Sequence, residues 1–216
     1  MGHQPTPSAA ALRLGRLAAR LASSKKDRAG RGGAAAPTLF FLTDAARGVR
    51  GEDVAPHLPR GAVVILRDYQ ADDRVASAMR LGALCRVRGL VFLVAEDWRL
   101  AHAVRADGLH APERFLPRLT PLRRRFPRWF LSASAHSAPA ILKAHRSGAD
   151  AILASPAFAT QSHPGDPFLG PVRFAALSHA APQPLIALGG VTEATAPRLA
   201  GARLAGLAAI GALAKG

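Results

Sequence analysis

Cysteine is almost absent from this sequence, since Cys85 is the single one among 216 residues. One thiol excludes an intrachain disulfide and any metal site built from several thiolates of this chain. The run from Met79 to Cys85 has helical spacing, so we interpret Cys85 as a small core residue. Disulfide scaffolds and thiolate metal clusters are therefore excluded.

Long hydrophobic runs are absent too. No stretch of about 18 consecutive apolar residues occurs, so we expect no membrane span. Residues 9–22 have helical periodicity with an arginine face, but they lack the apolar centre of a signal peptide. We therefore expect a cytoplasmic protein whose residues 1–37 form a basic N-terminal helix and a flexible, glycine-rich linker.

Aromatic and acidic residues are scarce. Aromatic residues make up 6% and hydrophobic residues 49%, which predicts a packed core of small side chains. Lysine and arginine exceed acidic residues by 29 to 14, a net charge of +15. The excess lies partly in residues 1–37 and partly in a cluster made of Arg114, Arg118, Arg123, Arg124, Arg125 and Arg128. No nucleic-acid module accompanies these charges, so we favour a small anionic ligand over nucleic acid as the partner.

From residue 38 onward, short apolar runs alternate with helical segments. The runs are Thr38–Asp44, Ala62–Asp68, Leu90–Ala95, Gly108–Ala111, Trp129–Ser134, Ala151–Pro156, Leu185–Gly190 and Gly206–Leu213. Near-continuous apolarity is typical of parallel strands buried on both faces. Eight such units predict an α/β protein with a (β/α)8 TIM barrel over residues 38–216. A doubly wound open sheet is the alternative, but no Gly-x-Gly-x-x-Gly follows the first run.

The end of the barrel domain is irregular. The chain stops three residues after Leu213, so we expect the usual eighth outer helix to be missing or truncated. The helix over residues 9–22 then has two possible places. It fills the vacant groove on the outside of the barrel, or it caps the bottom.

Polar or small residues stand at or just after the carboxyl end of each run. They are Asp44, Arg67 with Asp68, Glu96 with Asp97, His110, Ser134 with His136, Ser155, Gly189 with Gly190, and Gly211. In a barrel these positions meet at one mouth, where active sites of this fold are built. Gly189-Gly190 and Ile210-Gly211 follow the seventh and eighth runs, which predicts phosphate binding through backbone N–H groups.

Five segments resemble thiamine-phosphate synthase and its relative TenI, the thiazole tautomerase, in order and spacing. They are DGLH (107–110), SASAHS (132–137), SGADAILASPAFAT (147–160), LIALGGV (185–191) and AGLAAIGAL (205–213). The resemblance covers about residues 38–214 and is strongest from residue 107 onward. It implies a barrel protein of thiamine biosynthesis with a phosphorylated thiazole as its small-molecule partner, in a family that often forms homo-oligomers.

The diphosphate side of the family site is poorly matched. The synthases end their second strand with Gln-x-Arg-x-Lys, and only Arg67 agrees, with Tyr69 in place of the lysine. Their Asn-Asp-Asp after the third strand is Ala95-Glu96-Asp97 here, and Glu113 stands out of register for the second magnesium aspartate. Glu96 and Asp97 are therefore the only candidate metal ligands, and capping of the next helix is favoured for them.

The thiazole-phosphate side is matched more fully. Ser134 and Thr160 agree with the family, Ser162 replaces one hydroxyl residue by another, and His163 replaces a lysine. The resemblance thus assigns ligand and phosphate binding to Arg67, Ser134, Thr160, Ser162, Gly189, Gly190, Ile210 and Gly211. His110 is expected to be packed or hydrogen-bonded inside the barrel end, and Arg67 is expected at the mouth, with an ion pair to Asp68 as the alternative.

His136 occupies the position of the TenI histidine that moves the proton during thiazole aromatisation. An imidazole between small residues can take and return a proton at neutral pH, although a solvated loop histidine is the alternative. We expect a TenI-like tautomerase that needs no cofactor. A divergent synthase, which would require Mg²⁺, and a non-catalytic ligand-binding or regulatory barrel are the other two interpretations.

Overall fold

The computed structural model describes residues 6–22, 36–160, 165 and 167–214. Its centre is a closed barrel of parallel strands in which each strand pairs with its neighbours along the chain and the last pairs with the first. The strands are β1 (Leu39–Leu42), β2 (Val63–Leu66), β3 (Val91–Ala95), β4 (Gly108–Ala111), β5 (Phe130–Ala135), β6 (Ala151–Ala154), β7 (Leu185–Ala187) and β8 (Leu204–Ala209). The predicted (β/α)8 barrel is confirmed, and the open-sheet alternative is wrong. Most of the predicted linker lies outside the described residues.

Helices cover the outside of the barrel. They are α1 (Ala9–Leu21), α2 (Gly51–Val54), α3 (Arg74–Arg88), α4 (Trp98–Ala103), α5 (Leu119–Arg125), α6 (Ala138–Arg146), α7 (Gly170–Ala180) and α8 (Gly211–Ala214), with 3-10 turns at Ala45–Arg47, Ala55–His57, Glu113–Arg118 and Ala196–Leu199. No helix of the described ranges is long and apolar enough to cross a membrane. Cys85 of α3 is fully buried, which raises the pKa of its thiol to about 12 and makes it a core residue.

Strand side chains alternate between two apolar layers. One layer fills the barrel and includes Phe40, Leu42, Val63, Ile65, Leu93, Leu153 and Ile186. The other packs under the helices and includes Phe41, Val64, Val94, Leu109 and Leu131. Since both faces are buried, the strands read as continuous apolar runs rather than alternating ones.

Residues before the strands hold the barrel base together. Asp107 precedes β4 and accepts a hydrogen bond from the Phe92 N–H of β3 at 2.8 Å. Asp150 precedes β6 and accepts one from the Leu131 N–H of β5, also at 2.8 Å. A Cβ at Gly108 would lie 1.9 Å from the Phe130 carbonyl oxygen, so only glycine lets β4 and β5 pair this closely. The Asp-Gly of the DGLH segment (107–110) and the aspartate of GAD (148–150) therefore have structural roles.

The predicted bounds of the eighth strand, Gly206–Leu213, are wrong. β8 spans Leu204–Ala209, and the chain then enters the four-residue helix α8 at Gly211. A run of alanine, leucine, glycine and isoleucine suits a buried strand and a buried helix equally well, so its apolar pattern does not mark the boundary. Within the described residues, α8 is four residues long.

Helix α1 occupies the place of an outer helix. It packs against β1, β8 and the Ala196–Leu199 turn. Its buried side chains are Ala11, Leu14 and Ala18. Ser8 caps its first turn, with Oγ 3.1 Å from the Ala11 N–H, and Arg13 forms an ion pair with Glu193 at 2.6 Å. Of the two predicted places for this helix, the groove beside the short α8 is therefore the observed one.

We expect Leu14→Ala to lower the free energy of unfolding by about 2–5 kcal/mol, because it leaves a cavity between α1 and the barrel. Arg16→Ala, at an exposed position of the same helix, should change stability by no more than about 0.5 kcal/mol. Urea denaturation of both full-length variants measures the difference. Equal stabilities would show that α1 does not pack on the barrel in solution.

Candidate functional site

The side chain of His110 points from β4 into the barrel, where it lies between two serines of β5. Its Nδ1 is 2.9 Å from Ser132 Oγ, and its Nε2 is 2.9 Å from Ser134 Oγ. The imidazole is only 1% exposed. Burial, helped by the positive charge of Arg67, lowers the pKa of His110 to about 3. The ring is therefore neutral at physiological pH and hydrogen-bonded at both nitrogens.

His136 follows β5 and is exposed at the mouth. Its Nδ1 lies 2.9 Å from the carbonyl oxygen of Ser155 and 3.2 Å from the hydroxyl of the same residue. Because a carbonyl oxygen can only accept, Nδ1 carries the hydrogen, and Nε2 of the neutral ring holds the lone pair. The backbone N–H of His136 donates to the Glu113 carboxylate at 2.9 Å. The ring is thus held through Nδ1, and none of the described residues forms a hydrogen bond with its Nε2.

Ser137 begins the helix after this loop. Its Oγ accepts a hydrogen bond from the Ala140 N–H at 3.3 Å, so it is the N-cap of α6. Ser134 belongs to β5 instead and contacts His110. Ser134 and Ser137 of the SASAHS segment therefore have different roles.

The loop after β7 places two glycines, which have no side chains, at the mouth. Gly189 and Gly190 have φ angles of +92° and +63°, which side chains other than glycine rarely tolerate. A Cβ at Gly190 would also lie 2.3 Å from the Ala159 carbonyl oxygen of the loop after β6. Backbone conformation and close packing therefore require glycine at these positions, whether or not they also bind a ligand.

Two backbone N–H groups on this side of the mouth lack a hydrogen-bond acceptor. Within the described ranges, neither Gly190 N–H nor Gly211 N–H donates a hydrogen bond to the protein. Since β7 and β8 pair, the two loops are neighbours at the rim. Bare N–H groups at strand ends are suited to a phosphate group. Ile210 packs partly into the barrel interior, and Thr160 is half-buried, while Ser162 and His163 lie outside the described residues.

Arg67 lies at the mouth, but its partner differs from the expected one. Its Nη2 is 2.6 Å from Asp44 Oδ2, and Arg47 pairs with the same oxygen. Asp68 instead accepts a hydrogen bond from the Ala45 N–H at 2.7 Å. The alternative Arg67–Asp68 pair is wrong, because neighbouring side chains in extended chain point to opposite sides.

Tyr69 and two arginines form a second polar cluster. The guanidinium groups of Arg74 and Arg114 lie 5.7 Å and 5.3 Å from the centre of the Tyr69 ring. Arg114 also forms an ion pair with Glu96, and Arg74 donates to the Ala95 carbonyl at 2.6 Å. Burial raises the pKa of the Tyr69 phenol, so its hydroxyl stays protonated.

The candidate metal ligands have other partners. Asp97 Oδ1 accepts a hydrogen bond from the Leu100 N–H at 3.0 Å and caps α4, while Glu96 pairs with Arg114. Across the described part of the chain, no three His, Cys, Asp or Glu side chains come together around a possible ion. Glu96 and Asp97 are therefore already engaged by protein partners in this structure.

Sequence patterns located the mouth but missed three of its contacts. These are the Ser132–His110–Ser134 chain, the sharing of Asp44 by two arginines, and the stacking of arginines on Tyr69. The sequence held a signal for the Ser132–His110–Ser134 chain. Ser132 and Ser134 are two residues apart in a predicted strand, so both lie on the same face of β5.

The fold and the site together define the class of protein. It is a (β/α)8 barrel whose polar side chains and glycine-containing loops lie at the carboxyl ends of the strands, where enzymes of this fold have their active sites. The family model described as thiamine monophosphate synthase matches residues 47–213. The chain therefore belongs to this enzyme family of thiamine biosynthesis.

Individual relatives agree with this assignment. A thiamine-phosphate synthase of Chlorobium luteolum is 34% identical over 185 residues, which is 83% of this chain and 86% of the relative. One of Methanoculleus marisnigri is 32% identical over 183 residues, or 81% and 86% of the two chains. A solved thiamine phosphate pyrophosphorylase of Pyrococcus furiosus superposes with a TM-score of 0.68 at 21% identity, over 83% of this chain and 88% of the other, and this likeness supports the fold.

The buried neutral His110 predicts acid sensitivity. In the unfolded chain its pKa returns to about 6.5, so below that pH the unfolded state binds a proton that the folded state refuses. Stability is therefore lost as the pH falls from about 6.5 toward 3. Between pH 7 and pH 5 we expect the wild-type protein to lose about 2 kcal/mol more unfolding free energy than His110→Gln. Urea titrations at both pH values measure this, and parallel losses would contradict it.

Proposed function

We propose that the protein is a TenI-like thiazole tautomerase that binds a thiazole phosphate at the barrel mouth and moves a proton with His136. The observation that carries the proposal is the fixed orientation of this imidazole. Its Nδ1–H is committed to the Ser155 carbonyl oxygen, so Nε2 is the nitrogen that remains to act on a ligand. A side chain with a held orientation and a free lone pair is what general-base catalysis requires.

The proposed reaction is a proton shift with no leaving group. Nε2 of the neutral ring removes a proton from one atom of the thiazole ring system, and the resulting imidazolium returns a proton to another atom. Ring double bonds rearrange, and no net electron transfer occurs. The Nδ1–H bond to the Ser155 carbonyl becomes charge-assisted in the imidazolium form, which stabilises the state between the two transfers.

Phosphate anchoring would come from the opposite side of the ligand. The Gly190 and Gly211 N–H groups have no acceptor among the described residues, and Thr160, in the loop after β6, would supply a hydroxyl. Ser162 is assigned by the family resemblance alone. Anchoring the phosphate at β7 and β8 places the rest of a small ligand toward β5 and β6, where His136 lies.

A divergent thiamine-phosphate synthase is the second candidate, and the names of the relatives favour it. Its reaction would join hydroxymethylpyrimidine diphosphate to the thiazole phosphate and release diphosphate. Arg67 and Arg114 would then have to take over from the lysine and glutamine that this sequence lacks, with Mg²⁺ still required. Both arginines are already paired, with Asp44 and Glu96 respectively, which counts against this candidate. A barrel that binds the ligand without catalysis is the third.

His136→Ala should lower tautomerase activity by at least about 100-fold, since removal of a general base costs about 10²–10⁴-fold in rate. EDTA should leave the wild-type activity unchanged, because the proton shift uses no metal. His145→Ala is the matched control: it removes another exposed histidine, at the far end of α6, and should retain full activity. Turnover of the thiazole tautomer is followed by proton NMR.

The same protein preparation decides between the candidates. Mg²⁺-dependent formation of thiamine phosphate at about 1 s⁻¹ or faster would overturn the tautomerase proposal in favour of the synthase. Ligand binding without turnover in either assay would favour the binding barrel. Retention of tautomerase activity by His136→Ala would remove His136 from the mechanism.

Phosphate anchoring can be tested at Gly211, where a Cβ would meet no atom within 4 Å. Gly211→Pro deletes the N–H at the first position of α8, whereas Gly211→Ala keeps it. We expect the proline variant to bind hydroxyethylthiazole phosphate at least tenfold more weakly, as a hydrogen bond to a charged group contributes about 1.5–3 kcal/mol. The alanine variant, and the affinity of either for the unphosphorylated alcohol, should change little. Calorimetric titration measures all four, and equal losses for both ligands would refute a phosphate contact.

A further inference from the structure

We infer that His110 is a positioning residue, held by Ser132 in the tautomer with hydrogen on Nε2, and that it thereby makes the Ser134 hydroxyl a hydrogen-bond donor toward the mouth. The ligand atom beside Ser134 is then an acceptor, such as an unprotonated ring nitrogen. The part that concerns the ligand rests on the proposed function. The part that concerns the tautomer does not.

The argument begins at Ser132, which is fully buried inside the barrel. Among the described residues, its hydroxyl has one hydrogen-bonding partner, Nδ1 of His110 at 2.9 Å. If Nδ1 carried the hydrogen, Ser132 would accept it, and the serine's own hydrogen would have no acceptor. An unsatisfied buried polar group costs about 1–3 kcal/mol. Ser132 therefore donates, and Nδ1 accepts.

The tautomer follows from this direction. A neutral imidazole carries one hydrogen, so an accepting Nδ1 places that hydrogen on Nε2. The Nε2–H then donates to Ser134 Oγ, which is 2.9 Å away. A doubly protonated ring is excluded at neutral pH because burial disfavours its charge.

The orientation of Ser134 completes the chain. Its oxygen already accepts the bond from Nε2, so its own hydrogen must point elsewhere. Within the described ranges, no protein acceptor receives that hydrogen. Ser134 is half-buried, whereas Ser132 below it is fully buried, so the free side of its hydroxyl faces the mouth. His110 itself is buried beneath Ser134, so it acts through the serine instead of touching the ligand.

The tautomer can be measured without any ligand. Long-range proton–nitrogen NMR correlations on the ¹⁵N-labelled full-length protein distinguish the two neutral tautomers, and His110→Gln identifies the signals of this ring among the eight histidines. We expect the pattern of an Nε2–H ring that does not titrate between pH 5 and pH 8. The pattern of an Nδ1–H ring, or a titration in this range, would overturn the inference.

The action through Ser134 is tested by a matched pair of variants. A glutamine at position 110 can place an amide N–H near the position of Nε2, whereas a leucine of similar size cannot donate. We expect His110→Gln to bind hydroxyethylthiazole phosphate within about threefold of wild type, and His110→Leu and Ser134→Ala to bind it about tenfold or more weakly. Circular dichroism confirms that each variant is folded. Equal affinities of the glutamine and leucine variants would reduce His110 to a packing residue.

A double variant separates direct from indirect effects. If His110 acts through Ser134, the loss of affinity in His110→Leu/Ser134→Ala should be no larger than that of Ser134→Ala alone. Additive losses would overturn the positioning role. If the wild-type protein does not bind the thiazole phosphate, the ligand part fails together with the proposed function, while the NMR measurement still decides the tautomer.

Discussion

The seam between β8 and β1 is the contact on which the barrel depends. Their pairing, with Phe40 opposite Ala208, closes the sheet and leaves no exposed edge. Closure also brings the carboxyl ends of all strands to one rim, so that residues as distant in sequence as Arg67 and His136 share a mouth. Helix α1 covers this seam from the outside, since it packs against both β8 and β1. The N-terminal helix is thus part of the scaffold that positions the site.

The barrel interior is apolar except near the carboxyl ends of β4 and β5, where polar side chains are buried. His110, Ser132 and Ser134 replace hydrophobic side chains there, and burying such groups is unfavourable unless each finds a partner. Both ring nitrogens and the buried Ser132 hydroxyl find partners within this chain of bonds, and only the half-buried Ser134 hydroxyl keeps a hydrogen to donate elsewhere. Gly108, on the same strand as His110, is opposite Phe130 of β5, where a Cβ would clash with the Phe130 carbonyl oxygen. The close pairing of β4 with β5, the two strands that carry the polar chain, therefore requires glycine at this position.

The sequence predicts the barrel well because strands buried on both faces have an unmistakable apolar run, and because parallel strands require the helices between them. It does not predict where β8 ends, since Ala209 to Leu213 suits either element. The place of the mouth was also predictable, as strand ends can be read directly. The partners at the mouth were not, because Arg67 meets Asp44 across the β1–β2 pair and Tyr69 meets Arg114 across two strand intervals. Such contacts are set by barrel curvature and loop conformation, which single-sequence patterns do not encode.

Charge at the mouth is distributed unevenly, and this determines how a phosphorylated ligand can enter. On the β1–β4 side, Arg67 and Arg114 are neutralised by Asp44 and Glu96, so an anion arriving there would have to compete with an existing ion pair. On the β7–β8 side, the Gly190 and Gly211 N–H groups have no acceptor among the described residues, so a bound phosphate would compete there with water and not with an ion pair. Under the proposed function, a single phosphate would therefore bind at the glycine loops. The ligand would then extend over β6 and β5, toward Ser134 and His136.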